Sequence, residues 1–357
     1  MPARPIVRDE CWVIEDYRRR ECRRPWREFR SLVSLHNHSC YSVENLASLN
    51  RVMALGFMAP LRDLVRRAFG LDGSAAPDYG EMRYNPPLSP EDIWALELGA
   101  ARRLGFDEVL LAITDHDEVR GGVDLLARRP ADSSRIGLGE ELSLRFQGHL
   151  FHLGVTGLPA GDVLATHERL QEAAAADRLD ELFECLAATR CLVVLNHPLL
   201  AWDGKSDAGA PALGLLSRYG WAIHALEYNG MRRRSENDGV VELARACGKP
   251  LAGGGDSHLL VAGSALCASP GASTFPDFIE EVRAGRAVPL IKASYSAPHG
   301  WKMFLRVLAF MARYRQIATY RGVPAASFLK DRTVLLDPVG RASQAFLWLV
   351  STLELAR

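Results

Sequence analysis

The sequence predicts an α/β protein in which parallel strands wrapped by helices close, or nearly close, into a barrel. From Leu32 onward, short aliphatic or β-branched runs alternate with stretches of helical period rich in Ala, Leu, Glu and Arg. About seven such runs occur, which favours a barrel over an open sheet. Their ends carry His, Asp, Glu or Asn, as the catalytic rim of a parallel barrel does.

Length and composition narrow the class of protein. The chain has 357 residues, which allows two domains or one large α/β barrel. It carries 43 basic and 43 acidic residues, so no global field holds a polyanion or a membrane surface. A hydrophobic content of 48% and a charged content of 24% exclude disorder for the bulk of the chain.

Cysteine usage and the termini indicate where the protein works. The seven Cys form no CxxC pair, which is typical of reduced thiols. Charged residues come early and no apolar signal-peptide region follows them. The apolar stretch 345–355 is too short to span a bilayer. We therefore expect a cytoplasmic protein without a membrane segment.

Seven strands and five helices are predicted in chain order. The strands are Leu32–Leu35, Glu108–Thr114, Arg135–Leu144, Leu150–Thr156, Cys191–Asn196, Ala222–Tyr228 and Pro250–Gly254. The helices are Pro90–Leu104, Val119–Arg128, Asp162–Thr189, Glu236–Cys247 and Pro276–Ala284. The first helix has the clearest start, because Ser89 is a capping residue and Pro90 fits the first helical position.

The barrel is predicted within residues 31–293, and three segments of the chain are not part of a minimal barrel. Residues 1–30 are Arg-rich and predict an N-terminal arm. Residues 51–85 form an insertion after the first strand, with an amphipathic helix expected from Pro60 to Phe69. Residues 294–357 are expected to form a helical C-terminal extension. Its apolar residues at helical spacing favour packing over ligand binding: Trp301, Phe304, Leu305, Leu308 and Met311.

The polar residues at the strand ends are the most informative feature. In chain order they are His36-Asn37-His38, Thr114 to Asp117, Gly139 to Glu141, His152, Asn196-His197-Pro198, Glu227-Tyr228-Asn229 and Gly255 to His258. His36 and His38 are two positions apart on an extended strand, so both imidazoles can reach one metal ion. Burying this many polar groups without partners is costly, and a shared polynuclear metal centre would satisfy them together.

These motifs, in this order, resemble the PHP (polymerase and histidinol phosphatase) family over roughly residues 32–290. The family hallmarks HxH, T-D-H-D, G-x-E, H-P and G-x-D-x-H match His36-Asn37-His38, Thr114 to Asp117, Gly139 to Glu141, His197-Pro198 and Gly254 to His258. The resemblance implies a distorted (β/α)7 barrel, here with the helical insertion and the helical C-terminal extension. It also implies a centre of two or three divalent metal ions, which the ligand types suggest are Zn, Mn or Fe.

Carried over residue by residue, the resemblance implies ligand sets in which Glu141 bridges neighbouring metals. The sets are His36, His38, Glu141 and Asp256 for the first metal, His116 and His258 for the second, and His152 and His197 with Glu141 for the third.

The chain departs from the family pattern at three places. Ser34 stands where many members have Asp, and Ser42-Val43-Glu44 replaces the usual S-D-G. Glu44 is therefore predicted as a ligand of the second metal, with a solvated or helix-capping carboxylate as the alternative. The long insertion follows the first motif directly and is expected to cover the site and narrow substrate choice.

Further residues are candidates for catalysis and substrate binding. Asp256 or His258 would relay a proton to the leaving group, and Asp117 would act in catalysis by orienting an imidazole. The substrate contacts are expected from Arg120, Arg232 and Arg233, whose guanidinium groups suit phosphate, and from the amide of Asn229. The alternative for the arginines is a solvated helix start.

The predicted function is a phosphoesterase that hydrolyses a small phosphorylated substrate with a metal-activated hydroxide. Three alternatives stay open: a PHP-type exonuclease acting on DNA or RNA ends, a non-catalytic metal-binding regulatory module, and hydrolysis of a C–N or C–O bond. Zero net charge and the lack of a basic patch interleaved with aromatic residues argue against the nuclease.

Overall fold

The computed structural model describes residues 6–8, 12–14, 29–47, 50, 53–54, 56, 59–71, 77–200, 208–258, 265–292, 319–321 and 323–324. The chain divides into two compact units. The larger comprises Met1–Tyr41 and Leu88–Ala297, and the smaller comprises Ser42–Pro87 and Pro298–Arg357.

The described strands are β1 (Ile6–Arg8), β2 (Trp12–Ile14), β3 (Ser31–Ser34), β4 (Glu44–Asn45), β5 (Met82–Tyr84), β6 (Val109–Ala112), β7 (Ile136–Gly137), β8 (Gly139–Phe146), β9 (His149–Thr156), β10 (Leu192–Asn196), β11 (Ala225–Asn229), β12 (Leu251–Gly254), β13 (Ala265–Ser269), β14 (Val288–Lys292), β15 (Thr319–Tyr320) and β16 (Val323–Pro324). The described α-helices are α1 (Ala59–Ala68), α2 (Pro90–Arg103), α3 (Arg120–Arg128), α4 (Val163–Ala175), α5 (Leu179–Ala188), α6 (Gly209–Tyr219), α7 (Arg234–Cys247) and α8 (Phe275–Arg283).

The larger unit contains two separate sheets. Hydrogen bonds order one as β1-β2-β14-β13-β3-β6-β7 and the other as β12-β11-β10-β9-β8. The sheets meet at two isolated parallel bridges, Asn37 with Ser257 and His116 with Glu141. Both bridges fall on the polar motifs, so the ends of the strands that carry those motifs come together where the sheets meet.

The α/β class is confirmed, but the described strands do not show a closed, all-parallel barrel. β3-β6-β7 and β10-β11-β12 run parallel, as predicted. In contrast, β9 is antiparallel to β8 and β10, and β13 is antiparallel to β3 and β14. The physical reason at β8–β9 is a two-residue turn, because Gln147 (φ 50°) and Gly148 (φ 79°) both adopt the left-handed conformation of a tight hairpin.

Several helices begin and end close to their predicted bounds. α2 begins with a capping box, in which the Ser89 side chain accepts from the Asp92 backbone and Asp92 accepts from the Ser89 backbone. The single helix predicted for residues 162–189 is wrong, because Asp177 (φ 56°) breaks it into α4 and α5. The sequence did not predict α6 or the strands β1, β2, β4, β5, β13, β14, β15 and β16.

A core cluster joins both sheets of the larger unit. It combines side chains of β3, β6, β10, β11, β12 and β13 with the apolar face of α8, including Phe275 and Phe278. Several strand positions in it are small, such as Ala112, Ala225 and Ala252. The small side chains let the strand ends approach closely, and that is where the polar motifs lie.

The smaller unit has its own four-stranded sheet, ordered β16-β15-β5-β4. The amphipathic helix predicted in the insertion is present as α1. The predicted helical stripe of Trp301 to Met311 lies outside the described residues. None of the described helices has the length and apolarity needed to cross a membrane. In the described part of the chain, the cysteines with free thiols are Cys40, Cys185, Cys191, Cys247 and Cys267.

Candidate metal centre

The strand that ends in the HxH motif places its two imidazoles on one face, as the spacing predicts. His36 and His38 follow β3 and are both buried. Asn37, between them, points away and donates from its side chain to the carbonyl oxygen of Ala112, at 2.9 Å. The turn that follows is held by Asp115, which accepts from the backbone N–H and the hydroxyl of Ser39. Asp115 thus positions the turn after the motif.

The carboxylate of Glu141, at the start of β8, lies at the middle of the cluster and is fully buried. Its Oε2 atom is 3.1 Å from His36 Nε2, 3.3 Å from His38 Nε2 and 3.1 Å from His116 Nδ1. Imidazoles that follow two different strands, β3 and β6, therefore converge on one carboxylate oxygen.

The other oxygen of Glu141 lies close to side-chain nitrogens of residues in or just after β9 and β10. Oε1 is 3.2 Å from His152 Nδ1 and 3.1 Å from His197 Nε2. Asn196 donates to the same oxygen from Nδ2 at 2.9 Å. Each face of this one carboxylate is therefore lined by nitrogen ligands, which is the arrangement that a carboxylate bridging two cations requires.

Asp256, just after β12, forms the second acidic point of the cluster. Its Oδ1 atom is 3.8 Å from His36 Nε2, 3.9 Å from His38 Nε2 and 3.1 Å from His258 Nδ1. Its Oδ2 atom accepts from Arg232 Nη2 at 3.1 Å. One oxygen thus faces the imidazoles, and the other faces a cation that follows β11.

Within the larger unit, the ligand atoms fall into three overlapping groups whose members lie within 4.8 Å of one another. The groups are His36 with Glu141 and His197, His36 with His38 and Asp256, and His116 with Glu141 and His152. The second group contains three of the four ligands predicted for the first metal and lacks Glu141. His152 groups with His116, whereas the family resemblance pairs it with His197.

Electrostatics favour cations at this cluster. Burial raises the pKa of Glu141, but the imidazoles of His36, His116 and His152 outweigh it and hold the pKa well below its usual value. Burial likewise raises the pKa of Asp256, and His36, His258 and Arg232 bring it well below the ordinary range. Both carboxylates are therefore ionised at neutral pH and able to bind metal ions.

The residues present fit a polynuclear centre of divalent metal ions. Among the residues that the structure describes, the buried atoms His36 Nε2 and Glu141 Oε2 make no hydrogen bond of acceptable geometry. Leaving such atoms unsatisfied is costly, and a shared cation would satisfy both. Imidazole nitrogen together with carboxylate oxygen is a donor set suited to Zn, Mn or Fe.

Three residues of the polar motifs have unusual backbone conformations. Asp117 (φ 51°), His197 (φ 28°) and Asp256 (φ 48°) all have positive φ although none is glycine. Each follows a strand that carries a polar motif. Such conformations cluster at functional sites, where surrounding contacts hold them in place.

Four predicted site residues do not belong to these three ligand groups. Asp117 is exposed, and its Oδ1 accepts from the backbone N–H of Ser143 at 2.7 Å. Arg120 is paired with Glu118. Arg233 is exposed at the start of α7, and Glu44, in the smaller unit, accepts from the Ser42 hydroxyl. The roles predicted for these four residues stay predictions.

Asn229 has a different environment from the substrate contact that the sequence predicts. It is fully buried, and its Nδ2 donates to Glu227 Oε2 at 2.9 Å and Asp256 Oδ2 at 3.1 Å. Both amide hydrogens are therefore used by the protein. The amide holds carboxylates of the cluster, and the substrate-binding role predicted for Asn229 stays a prediction.

Sequence reasoning included Glu227 among the polar strand-end residues but assigned it no role. It lies in β11, almost fully buried, with its Oε1 atom 2.6 Å from His36 Nδ1. Its position two residues before Asn229, on the same face of the strand, was the available signal. No ligand motif includes it, so its role depends on contacts that the chain makes only when folded.

Comparisons with known proteins find no matching family model and no matching curated protein. Among solved structures, a two-domain protein from Bacteroides vulgatus containing a predicted PHP-like metal-dependent phosphoesterase is similar, with 11% identity over 74% of this chain and 66% of that chain, at a TM-score of 0.41. A provisionally named metal-dependent phosphoesterase from Bifidobacterium adolescentis shows 15% identity over 56% and 92% of the two chains, at a TM-score of 0.36.

A third structure, an amidohydrolase from Chromobacterium violaceum with bound sulfate and no metal, shows 17% identity over 50% of this chain and 84% of that chain, at a TM-score of 0.35. Structures of the family that the motifs resemble are thus among the neighbours. All three TM-scores are below 0.5, so the functional conclusion depends on the side chains of this protein.

Proposed function

We propose that the larger unit is a metal-dependent hydrolase that cleaves a small phosphorylated substrate, either a phosphomonoester or a nucleotide-type phosphoester. The observation that carries the proposal is the buried Glu141 carboxylate, which has imidazole nitrogens within 3.3 Å of both its oxygens. A carboxylate in that position can bridge two cations, and the imidazoles complete their coordination.

Two or three divalent ions held there would lower the pKa of a bound water and supply a hydroxide nucleophile near neutral pH. During hydrolysis, a bond forms between the water oxygen and phosphorus while the bond from phosphorus to the leaving oxygen breaks. The leaving oxygen then takes up a proton. Asp256 Oδ1 and His258 Nδ1 lie 3.1 Å apart and are the proposed proton relay, with His258 the more exposed of the two.

The preference for a phosphoester rests on Arg232. Its side chain is 25% exposed and its Nη2 contacts Asp256, so a cation lies beside the proposed ligands and remains open to solvent. Guanidinium presents several donors in a planar fork that matches phosphate oxygens. A neutral amide or carboxylic ester would gain less from this group.

Metal content measured together with a substrate panel tests the proposal. The protein is analysed for Zn, Mn and Fe, stripped with a chelator, and assayed after each metal is added back. We expect bound metal and metal-dependent turnover of a phosphomonoester or nucleotide. Metal-free protein at high purity would contradict the metal centre, and turnover of only neutral amides or esters would indicate C–N or C–O hydrolysis.

The remaining alternatives have distinct outcomes in the same experiment. A nuclease would degrade single-stranded DNA or RNA and bind it with strong salt dependence. A regulatory module would bind metal without turning over any substrate in the panel. Either result would contradict a small-molecule phosphoesterase.

Arg232→Ala tests the phosphate contact directly. Loss of hydrogen bonds to a charged group typically costs about 1.5–3 kcal/mol, so we expect KM for a phosphomonoester to rise roughly 10- to 100-fold. Metal content is measured in parallel, because Arg232 also contacts Asp256. The matched control is Arg178→Ala, an exposed arginine paired with Glu181 on the turn between α4 and α5. An unchanged KM in Arg232→Ala would exclude this role.

A further inference from the structure

Glu227 is a buried carboxylate that contacts three elements of the metal centre. Its Oε1 atom lies 2.6 Å from His36 Nδ1. Its Oε2 atom accepts from the backbone N–H of His197 at 2.8 Å and from Asn229 Nδ2 at 2.9 Å. A single side chain of β11 therefore holds groups that follow β3 and β10, as well as a neighbour on its own strand.

The contact with His36 determines which nitrogen of that ring carries the proton. Oε2 of Glu227 already accepts from two N–H groups and its Oε1 faces Nδ1 at 2.6 Å, so Nδ1 takes the donor role. A neutral His36 then has its lone pair on Nε2. That atom faces Glu141 Oε2 and Asp256 Oδ1, the two acidic points of the centre.

Asn229 extends the same network to Asp256. Its Oδ1 accepts from the backbone N–H of Met231 at 2.7 Å, so its amide nitrogen must be the end that faces Glu227 and Asp256. Its backbone is held in turn by Asn237, which accepts from the Asn229 N–H and donates to the Asn229 carbonyl. The orientation of the amide thus follows from its partners.

The carboxylate of Glu227 fits against β12 because the residue next to it, Gly254, has no side chain. A Cβ atom at Gly254, in β12, would lie 1.7 Å from Glu227 Oε1. Gly254 pairs with Asn229 across the two strands, so the glycine and the network share one place in the sheet.

We propose that Glu227 is a positioning residue of the metal centre, which keeps His36 in the Nδ1–H tautomer and, through Asn229, links it to Asp256. This inference rests on the proposed metal centre and adds a residue to it. Carboxylates that orient a metal-binding imidazole in this way raise its basicity and tighten metal binding.

Glu227→Gln tests this role. The carboxylate uses one oxygen for His36 and the other for His197 and Asn229, whereas the amide of Gln has only one oxygen. If that oxygen accepts from both His197 N–H and Asn229 Nδ2, the amide NH₂ is left facing His36 Nδ1. The ring must then accept at Nδ1 and carry its proton on Nε2, where it blocks metal binding. In the opposite orientation the amide oxygen accepts from His36 Nδ1, and the hydrogen bonds from His197 N–H and Asn229 Nδ2 are lost.

The experiment measures zinc affinity by chelator competition and the His36 tautomer by ¹⁵N–¹H NMR, before and after zinc is added. In the zinc-loaded wild type we expect a proton on His36 Nδ1. In Glu227→Gln we expect zinc affinity to fall about 10- to 100-fold, with loss of the Nδ1 proton signal in the zinc-free protein. Neither readout depends on hydrolysis, so a failed activity assay would leave this test intact.

The matched control is Glu140→Gln. Glu140 is also fully buried and accepts from a histidine, His167 Nδ1 at 3.0 Å, and from Gln171 Nε2 at 2.6 Å, but neither partner is a proposed ligand. Its zinc affinity should stay within about threefold of the wild type, well below the effect expected for Glu227.

Each contrary result has its own meaning. Wild-type zinc affinity in Glu227→Gln would overturn the positioning role while leaving the metal centre in place. A proton on Nε2 of His36 in zinc-loaded wild type would overturn it as well, even if the variant failed to fold. Absence of zinc binding by the wild type would overturn both the positioning role and the metal centre.

Discussion

At the scale of single residues, His224 shows how burial changes a titratable group outside the metal centre. Its Nδ1 accepts from the backbone N–H of Val193 at 3.0 Å. Burial, together with the nearby cations Arg283 and Lys249, lowers its pKa from 6.5 to about 4, while Glu280 opposes them. The ring of His224 therefore has a structural role, because it satisfies a backbone donor of β10.

The lowered pKa predicts a pH dependence of stability. Between about pH 6.5 and pH 4 the unfolded chain binds a proton that native His224 does not, so the free energy of unfolding falls as the pH falls through this window. The slope from one group is at most about 1.4 kcal/mol per pH unit, and it is smaller here because the ring is partly exposed. Urea unfolding at several pH values measures it.

The variant His224→Asn separates this effect from other titrating groups. Asn Oδ1 can accept from the Val193 N–H but does not titrate, so the variant should lose less stability than the wild type between pH 6.5 and pH 4. Titrating groups elsewhere contribute equally to the pH dependence of both proteins, so their contributions cancel in the difference. Parallel stability curves over that window would show that His224 does not contribute.

At the scale of elements, the β8–β9 hairpin decides how Glu141 and His152 meet. The two strands pair antiparallel over their whole length, with Glu141 opposite Gly154 and His152 opposite Ser143. A two-residue turn at Gln147-Gly148 sets this register. The sequence predicted both strands and missed the antiparallel pairing, because apolar runs reveal strands but not their partners.

Gly148→Ala tests the turn. A Cβ atom there meets nothing within 4 Å, but φ is 79°, a conformation that costs an L-residue roughly 1–2 kcal/mol. We expect the free energy of unfolding to drop by about that amount, measured by denaturant titration. Gly161→Ala is the control, since that site is also open and has no positive φ. Equal changes in both variants would show that the turn conformation is not the cause.

At the scale of the whole molecule, the proposed ligands come from six strands or strand ends of the larger unit: β3, β6, β8, β9, β10 and β12. Metal ions bound there join elements that are far apart in the chain. Ions that bind only the native state stabilise it by mass action. Metal content is therefore expected to control the stability of the larger unit as well as activity.

Thermal unfolding with and without metal measures this coupling. At a free Zn²⁺ or Mn²⁺ concentration 100 times the dissociation constant, stabilisation is about 2.7 kcal/mol, which raises Tm by roughly 5–10 °C for a unit of this size. Asp256→Asn, which removes a proposed ligand charge, should show a smaller rise. If neither added metal nor chelator changes the wild-type Tm, the proposed coupling between metal binding and stability is contradicted.

The sequence alone predicted the α/β class, the strands that carry the polar motifs, and the His, Asp and Glu side chains of the three ligand groups. It could do so because hydrophobic period and strand-end motifs are local properties of the chain. Only the tertiary structure decided that the strands form separate mixed sheets, that Asn229 is buried, and that Glu227 holds His36. Those outcomes depend on hydrogen bonds between residues far apart in sequence, such as His36 with Glu227, 191 positions away, which no local pattern encodes.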